Sequence, residues 1–467
     1  MYYQILLLYY IVLCFDQRLT RVGRSPMHMR KILSEAGSIV NSIELFSTTN
    51  NIFNVIILIK MTRVTFLHPD LGIGGAERLV VDAALSLKKQ GYEVNFVTTH
   101  HDSEHCFSET KDGTIPVTVV GSWLPRHILG RFFALFAYIR MIYAASYIVF
   151  CENRPDIVFC DLVSACIPIL RLRIPYIIFY CHYPDQLLSR PEGLSKQLYR
   201  VPLNYLEEIT TGMAHKIFVN SLYTRSVFKD TFKRLTIEPE VLYPSINTDY
   251  FDKARIIPLE RVLDKRLPPN STILLSINRY ERKKNLGLAI EALAQLKKYL
   301  KEEEYKKVYL IMAGGYDKRV EENVEHYLEL IGLADELNVT DKIIFLRSPS
   351  DIDKVSILYH CMVLLYTPPN EHFGIVPLEA MYMSKPVIAH NSGGPKESVV
   401  SGITGFLVDL SGDAFALKIA DLIKNPEYVQ QFGDAGKVRF MDTFSSAAFS
   451  AQLNKTIEDL IDNKKVK

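Results

Sequence analysis

Two glutamates in the last quarter of the chain, Glu371 and Glu379, stand eight positions apart. The residues between them, 372–378, read His-Phe-Gly-Ile-Val-Pro-Leu, and Pro377 is typical of a helix start. The pattern predicts that Glu371 lies on a loop and that Glu379 lies in the first turn of a helix. Backbone N–H groups at a helix start bind phosphate, and carboxylates accept hydrogen bonds from hydroxyl groups. The pair therefore suits a nucleotide-sugar diphosphate, with amides for the phosphates and carboxylates for the sugar and ribose hydroxyls.

A cluster of four cations follows the predicted strand Thr272–Ile277, where residues 279–284 read Arg-Tyr-Glu-Arg-Lys-Lys. A helix is predicted over 286–300, directly behind the cluster. Cations at the carboxyl end of a strand, backed by a helix start, can clamp a diphosphate. A solvated charge run accounts for the same residues, and the sequence by itself leaves both interpretations open.

A glycine-rich turn follows the first predicted strand, where residues 70–78 read Asp-Leu-Gly-Ile-Gly-Gly-Ala-Glu-Arg. Gly74 and Gly75 allow the backbone to approach a ligand closely. The order differs from GxGxxG, and no acidic residue stands at the end of a second strand as dinucleotide binding would require. A plain tight turn explains these glycines nearly as well.

His182 and a pair of aspartates are the remaining candidates. His182 follows the predicted strand Tyr176–Cys181 and faces the expected cleft, which suits contact with a transferred sugar or proton shuttling. A lone histidine is more often a satisfied structural residue. Asp351 and Asp353 resemble an aspartate pair that holds a metal–nucleotide complex, but they precede a predicted helix. They are expected to cap that helix, so the sequence predicts no metal site.

The composition is that of a globular protein. Of 467 residues, 48% are hydrophobic and 23% are charged, and the formal net charge of +2 gives no sign of nucleic-acid binding. The seven cysteines are scattered without a CxxC pair, which argues against a disulfide framework or a zinc site. The chain is long enough for two or more domains.

From Met61 onward, short apolar runs alternate with helix-length amphipathic segments, which predicts βαβ units and parallel sheets. The strands predicted in the first half are 63–68, 93–98, 117–120, 156–160, 176–181, 216–220 and 240–243. Those predicted in the second half are 272–277, 308–313, 342–346, 363–366, 386–389 and 405–408, after a linker over about 252–270. We therefore predict two tandem doubly wound α/β domains of the Rossmann type, 61–255 and 265–467, which face a central cleft that binds the ligand.

Two apolar segments leave alternatives open. The leader, residues 1–60, contains an apolar run at 5–15 that is short of the roughly 20 residues of a membrane span. It is either a gene-model extension or a hydrophobic anchor. Residues 128–150 are long enough to cross a bilayer, yet Arg131 and Arg140 interrupt them. A buried core helix and a membrane-facing helix with both arginines at headgroup level are equally compatible with this pattern.

Together these pieces resemble the GT-B glycosyltransferases, which include glycogen synthase-like and phosphatidylinositol mannosyltransferase-like enzymes. The signature of that family is a glutamate pair with seven residues between, an arginine and a lysine early in the second domain, and a glycine-rich loop early in the first. Four blocks, 66–79, 179–185, 276–285 and 370–383, resemble more narrowly the alpha-1,3/1,6-mannosyltransferases of dolichol-linked oligosaccharide assembly. The resemblance runs from about Met61 to the C-terminus. It implies that the first domain takes the acceptor and the second domain takes the nucleotide sugar.

The resemblance also implies a role for each matching residue. Arg279 and Lys284 would neutralise the GDP diphosphate, where negative charge grows in the transition state. Glu371 would hold the mannose ring, Glu379 would accept from the ribose hydroxyls, and His182 would contact the sugar from the opposite domain. The other donor-binding residues would contribute backbone groups and are Gly74, Gly75, Phe373, Gly374, Ile375 and Val376. No metal or other cofactor is needed if cations and helix ends carry the phosphate charge.

The implied reaction is a retaining transfer from GDP-mannose to dolichyl-diphosphate-linked Man1GlcNAc2 and Man2GlcNAc2, which forms alpha-1,3 and alpha-1,6 linkages of the N-glycan precursor. It would occur on the cytosolic face of the endoplasmic reticulum membrane. Other mannosyltransferases of the pathway are candidate partners, and nucleic acid is not. A later-acting alpha-1,2-mannosyltransferase of the same pathway and a catalytically silent GT-B scaffold are the alternatives. The intact glutamate pair and the Arg…Lys pair argue against the silent scaffold.

Overall fold

Two β-sheets form the framework of residues 61–128, 131–151, 153–188 and 193–462, which are the residues that the computed structural model describes. The strands of the first sheet are β1 (Arg63–His68), β2 (Glu93–Thr98), β3 (Val117–Val119), β4 (Ile157–Asp161), β5 (Tyr176–Cys181), β6 (Lys216–Val219) and β7 (Glu240–Val241). The strands of the second sheet are β8 (Thr272–Ile277), β9 (Val308–Gly314), β10 (Ile343–Arg347), β11 (Val363–Tyr366), β12 (Val387–His390) and β13 (Gly405–Val408). The predictions for the leader, 1–60, lie outside the described residues.

The strand order identifies the fold class. The first sheet runs β3-β2-β1-β4-β5-β6-β7 and the second runs β10-β9-β8-β11-β12-β13, and each pair of neighbouring strands in these two sheets is parallel. In each sheet the order reverses beside the first strand, between β1 and β4 and between β8 and β11. Ligands bind at the carboxyl ends of strands at such a switch point. The predicted pair of doubly wound α/β units is confirmed, and we call them the first and second lobes.

Helices cover both faces of the two sheets. The helices of the first half are α1 (Gly75–Lys89), α2 (Ser108–Lys111), α3 (Phe133–Phe150), α4 (Ile167–Leu170), α5 (Asp185–Leu188), α6 (Leu194–Thr211), α7 (Leu222–Thr231), α8 (Asp249–Lys253) and α9 (Leu259–Leu263). Those of the second half are α10 (Gly287–Gln295), α11 (Glu302–Tyr305), α12 (Glu321–Glu336), α13 (Asp351–His360), α14 (Ile375–Tyr382), α15 (Pro395–Ser398), α16 (Gly412–Lys424), α17 (Pro426–Thr443) and α18 (Ser446–Asp462). Short 3₁₀ turns add Ser164–Cys166, Arg282–Lys284, Leu296–Lys298 and Thr340–Lys342.

The last helix returns to the first lobe. Phe449, Leu453 and Ile457 of α18 are buried in the same core as the apolar side chains of β1 and α1. Ser450 Oγ lies 2.6 Å from Ser86 Oγ of α1. The sequence pattern assigns all of 265–467 to the second domain because chain order alone does not reveal this return.

Helix α3, in the segment 128–150, has one buried and one exposed face. Met141, Ala144 and Ile148 belong to the first-lobe core. Arg140 is also buried, and its Nη2 donates to Thr99 O at 2.7 Å. The alternative that places Arg140 at headgroup level is therefore wrong, because its guanidinium is buried inside the lobe and donates to the backbone there.

Candidate active site

The cation cluster after β8 and the glutamate loop after β11 meet in the structure. Lys284 ends a 3₁₀ turn, and its Nζ forms an ion pair with Glu371, 87 residues further along the chain. The two side chains are only 13% and 21% exposed. Thr367, just after β11, donates through Oγ1 to Lys284 O at 2.9 Å and fixes the turn against the sheet. The switch point of the second lobe thus holds a cation and a carboxylate in direct contact.

The other cations of the cluster have different partners. Arg279 is 63% exposed, and its Nη1 lies 2.9 Å from Glu281 Oε1. Lys283 Nζ lies 3.1 Å from the second oxygen of Glu281. Arg282 turns to α12, where its Nη2 lies 2.7 Å from Glu325 Oε2. Of the four cations that suggested a diphosphate clamp, Arg282 is bound by glutamates of α12 and lies away from Glu371.

A glycine turn after β12 holds the glutamate loop in place. Gly394 N donates to Glu371 O at 2.8 Å, and Asn370 N donates to Ser392 Oγ at 2.8 Å. A Cβ at Gly393 would lie 2.3 Å from Glu371 O, a distance that no side chain adopts. The glycines therefore let two backbone segments contact each other, and this contact positions Glu371.

Helix α14 begins with open backbone donors. Its N-cap is Gly374, whose φ is 87° and which provides no side-chain cap, so Ile375 and Val376 present uncapped N–H groups. Phe373 is buried and stacks on Tyr243 with ring centroids 5.6 Å apart, so its backbone alone is available to a ligand. These groups lie beside Glu371, where the sequence predicts phosphate contacts.

Glu379 lies deeper than the sequence predicts. It is the fifth residue of α14, so the placement in the first turn is wrong by one turn. Lys354 of α13 binds it, with Nζ 2.6 Å from Oε1, while Oε2 is buried with no hydrogen-bond partner among the described residues. Burial raises the pKa of Glu379, and the Lys354 ammonium opposes that rise. The Tyr250 hydroxyl is likewise buried and unpaired among those residues. Sequence reasoning missed Lys354 and Tyr250, which no motif marks.

His182 follows β5 and is joined to two residues that sequence reasoning missed. Its Nε2 lies 3.1 Å from Asp161 Oδ2, and Asp161 Oδ1 lies 2.7 Å from His68 Nδ1. Asn220 Nδ2 donates to His182 O at 3.0 Å and fixes the backbone. The predicted strand 156–160 ends one residue early, since β4 extends to Asp161. That extra residue places the carboxylate at the switch point of the first lobe.

The loop after His182 is held by a buried carboxylate. Glu207 on α6 accepts hydrogen bonds from Asp185 N at 2.7 Å and from Gln186 N at 3.1 Å. Arg200 Nη2 lies 3.1 Å from Asp185 Oδ2. Burial, with the neighbouring Asp185 charge, raises the pKa of Glu207 to about 7. Only the fold places α6 beside this loop, so the sequence carried no signal for Glu207.

The glycine-rich turn forms the start of α1. Gly74 is its N-cap in extended conformation, and a Cβ there would lie 2.3 Å from Glu77 Oε2. Glu77 Oε1 in turn lies 3.6 Å from His68 Nε2. Among the described residues, a Cβ at Gly75 would meet nothing within 4 Å. The turn thus offers an open helix start that is linked through Glu77 and His68 to the residues around His182.

The two lobes touch beside His182 and Glu371. Tyr183 stacks on His372 with ring centroids 3.7 Å apart and an angle of 6° between the planes. Ser221 Oγ of the first lobe donates to His372 O at 2.6 Å. Glu397 of the second lobe accepts from Leu222 N at 2.7 Å, at the start of α7. The structure thereby brings His182, Glu371 and Lys284 to one lobe contact.

Metal-ligating side chains do not cluster in the described ranges, where no group of three or more histidine, cysteine, aspartate or glutamate residues could hold an ion. Asp353 instead accepts from Ser350 N at 3.1 Å, in a capping box at the start of α13. The expected helix cap is therefore formed by Asp353 together with Ser350, the N-cap residue of α13.

Comparisons with known proteins agree with this architecture. The family described as Glycosyltransferase Family 4 matches residues 73–250, and Glycosyl transferases group 1 matches residues 263–439. The solved structure of sucrose-phosphate synthase from Thermosynechococcus elongatus superposes with a TM-score of 0.67 at 18% identity, over 86% of this chain and 100% of that one. Two lobes of this kind with a cation and a carboxylate pair at the cleft define a GT-B glycosyltransferase.

Relatives of higher sequence identity show which glycosyltransferase family the chain belongs to. Alpha-1,3/1,6-mannosyltransferase ALG2 of Homo sapiens is 50% identical over 405 residues, which cover 85% of this chain and 96% of that protein. The protein of the same name from Rhizomucor pusillus is 44% identical over 424 residues, which cover 86% and 92%. The chain belongs to the alpha-1,3/1,6-mannosyltransferase family.

Proposed function

We propose that the chain transfers mannose from GDP-mannose to dolichyl-diphosphate-linked Man1GlcNAc2 and Man2GlcNAc2, forming alpha-1,3 and alpha-1,6 linkages. Mannosyl transfer follows from the family to which the chain belongs; the donor, the acceptors and the membrane are the proposal. The observation that carries it is the Lys284–Glu371 ion pair beside the uncapped start of α14. A cation, open amides and two carboxylates at one strand edge match a sugar diphosphate better than a neutral ligand.

The diphosphate would lie between Lys284 and the start of α14. The first N–H groups of that helix have no intrahelical acceptor and form the positive end of its dipole. Arg279, exposed at the mouth of the cleft, would turn from Glu281 to the phosphates. Gly75 at the start of α1, where a Cβ would contact none of the described residues, would admit the phosphates from the other lobe. These groups supply the charge compensation, so we propose no metal requirement.

The nucleoside would be held by Glu379. A buried acceptor without a partner costs free energy, and a ribose hydroxyl would satisfy Glu379 Oε2, which accepts no hydrogen bond from the described part of the chain. Lys354 keeps Oε1 occupied and orients the carboxylate. The hydroxyl of Tyr250, buried and unpaired within the described residues, is a second polar group that a nucleoside would satisfy.

Transfer would break the bond from mannose C1 to the β-phosphate oxygen and form a bond from C1 to the acceptor oxygen. The acceptor proton would pass to a phosphate oxygen of the departing GDP, on the same face of the sugar, which retains the configuration. Lys284 and Arg279 would stabilise the charge that develops on the diphosphate. Glu371, held by Lys284, would accept from mannose hydroxyls. It would not act as a general acid, because the departing diphosphate needs no proton from the enzyme.

A lipid acceptor requires contact with a membrane, and α3 supports this part of the proposal. Among the described residues, α3 is the one helix long and apolar enough to cross a membrane, and 39% of it is buried. Its exposed apolar side chains are Phe133, Leu135, Ile139, Tyr143, Tyr147 and Phe150. With the opposite face in the first-lobe core, we propose that this face lies on a membrane surface, on the cytosolic side of the endoplasmic reticulum.

A donor and acceptor panel tests the proposal. The purified full chain is incubated with GDP-mannose, UDP-glucose or GDP-fucose and with lipid-linked chitobiose that carries none, one or two mannoses. We expect transfer from GDP-mannose to the acceptors with one and two mannoses. Absence of transfer to the mono-mannosylated lipid, with transfer to a longer acceptor, would favour the later-acting alpha-1,2-mannosyltransferase. Binding of GDP without turnover on any acceptor would favour the silent scaffold.

A further inference from the structure

A line of charged groups runs from the glycine-rich turn to His182. Glu77 lies in the first turn of α1, His68 ends β1, Asp161 ends β4 and His182 follows β5. His68 Nε2 lies 3.6 Å from Glu77 Oε1, and His68 Nδ1 lies 2.7 Å from Asp161 Oδ1. The second Asp161 oxygen, Oδ2, lies 3.1 Å from His182 Nε2. The groups of three strands and one helix thus meet at the switch point of the first lobe.

The inner members of this line are fully buried. His68 and Asp161 are both 0% exposed. Burial by itself lowers the pKa of His68, but Asp161 and Glu77 outweigh burial and raise that pKa to about 10. Burial raises the pKa of Asp161, but His68 and His182 outweigh it and the pKa is lowered. At neutral pH the centre is therefore an imidazolium between two carboxylates. Apolar side chains would fill this space at a lower free-energy cost. The buried charged groups therefore indicate a functional role in addition to packing.

We infer that Asp161 is a positioning residue for His182, whose imidazole it holds in one orientation and one tautomer. A carboxylate can only accept a hydrogen bond, so the His182 proton in this contact must be on Nε2. The nitrogen that remains able to accept is Nδ1. His182 would then accept a hydrogen bond from a hydroxyl of the transferred sugar through Nδ1, and the inference rests on the proposed mannosyl transfer.

His68 contacts Asp161, Glu77 contacts His68, and together they fix the position of Asp161. His68 occupies Asp161 Oδ1, so that Oδ2 is the oxygen left for His182. The Tyr180 ring packs against His182 with centroids 4.6 Å apart and limits rotation of the imidazole. The orientation of His182 is therefore set by residues that do not themselves contact the sugar.

A double-mutant cycle between Asp161→Asn and His182→Ala tests the inference on the full chain. In the wild-type background, Asp161→Asn is expected to lower kcat about tenfold, the usual worth of one oriented hydrogen bond. The KM for GDP-mannose and the Kd for GDP should stay within about threefold, because the charged groups proposed to bind the diphosphate, Lys284 and Arg279, lie in the second lobe. In the His182→Ala background, the same substitution should change kcat less than about twofold, since residues that act together are not additive.

Asp156→Asn is the matched control, because Asp156 precedes the same strand at its opposite end and accepts from Arg63 N at 3.0 Å. It makes the same change of charge and should leave kcat within about twofold. An equal fall of kcat on Asp161→Asn in the wild-type and His182→Ala backgrounds, or an unchanged kcat in the wild-type background, would overturn the positioning role. Wild-type protein without mannosyl transfer would overturn the proposed function and this assignment together.

A second measurement needs no variant at Asp161. The ¹⁵N chemical shifts of His182 in the wild-type protein report which ring nitrogen carries the proton. We expect the Nε2–H form. A shift pattern of the Nδ1–H form would overturn the inference, even if Asp161→Asn proved too unstable to assay.

Discussion

Replacing Lys284 with alanine removes the one cation that touches Glu371 in the described structure. Its Nζ is mostly shielded from solvent, since the side chain is 13% exposed. A unit charge about 4 Å from such a cation, at an effective dielectric of about 20, interacts by roughly 4 kcal/mol. Loss of a preorganised group that stabilises a leaving group costs about 10²- to 10³-fold in kcat. We therefore expect Lys284→Ala to lower kcat/KM for GDP-mannose by about 10²- to 10³-fold.

The adjacent Lys283 provides the control for this substitution. Lys283 is 67% exposed and pairs with Glu281, so Lys283→Ala removes the same charge one residue away from the contact. We expect its kcat/KM to stay within about threefold of wild type. Radiolabelled mannosyl transfer at several GDP-mannose concentrations measures both variants, and circular dichroism checks their folding. A Lys284→Ala enzyme within tenfold of wild type, or equal losses in both variants, would refute the diphosphate role.

Three further predictions concern other parts of the site. Glu379→Gln should weaken GDP binding about tenfold, because a neutral amide accepts less strongly than a carboxylate; calorimetry with an unchanged Kd would contradict the ribose contact. Gly394→Ala places a Cβ 2.2 Å from Phe373 O and should destabilise the fold by roughly 1–3 kcal/mol, seen as a lower thermal midpoint. The pKa of Glu207 rises from its ordinary 4.5 to about 7 in the folded protein. The protonated side chain therefore stabilises the fold fully below about pH 4.5, and this contribution is lost as the pH rises through 7. The free energy of unfolding should fall by about 3 kcal/mol over that window, and Glu207→Gln should remove this slope in urea titrations.

The strands could be predicted from the sequence because each buried parallel strand is a short apolar run between turn residues. Thr272–Ile277 and Gly405–Val408 have the same bounds in the prediction and in the structure. The glutamate loop and the cation cluster were recognisable because both follow such strands.

The partners of those residues could not be predicted. Lys354 reaches Glu379 from another helix, and Asp161 lies 21 residues from His182 and 93 from His68. These contacts depend on which strands become neighbours, and no local pattern marks a single aspartate at a strand end. The cation cluster illustrates the same limit, since Arg282 belongs to the right motif but binds the glutamates of α12. Spacing along the chain therefore indicates the candidate site, and the fold decides which side chains lie together there.

The linkage analysis of products made by the purified chain tests the central claim most directly. GDP-mannose and the mono-mannosylated chitobiosyl lipid are supplied as the only donor and acceptor, and the released oligosaccharides are analysed by NMR. We predict two successive products, in which the added mannoses are alpha-1,3- and alpha-1,6-linked. Products with alpha-1,2 linkages alone, or no product from a folded protein that binds GDP, would contradict the account.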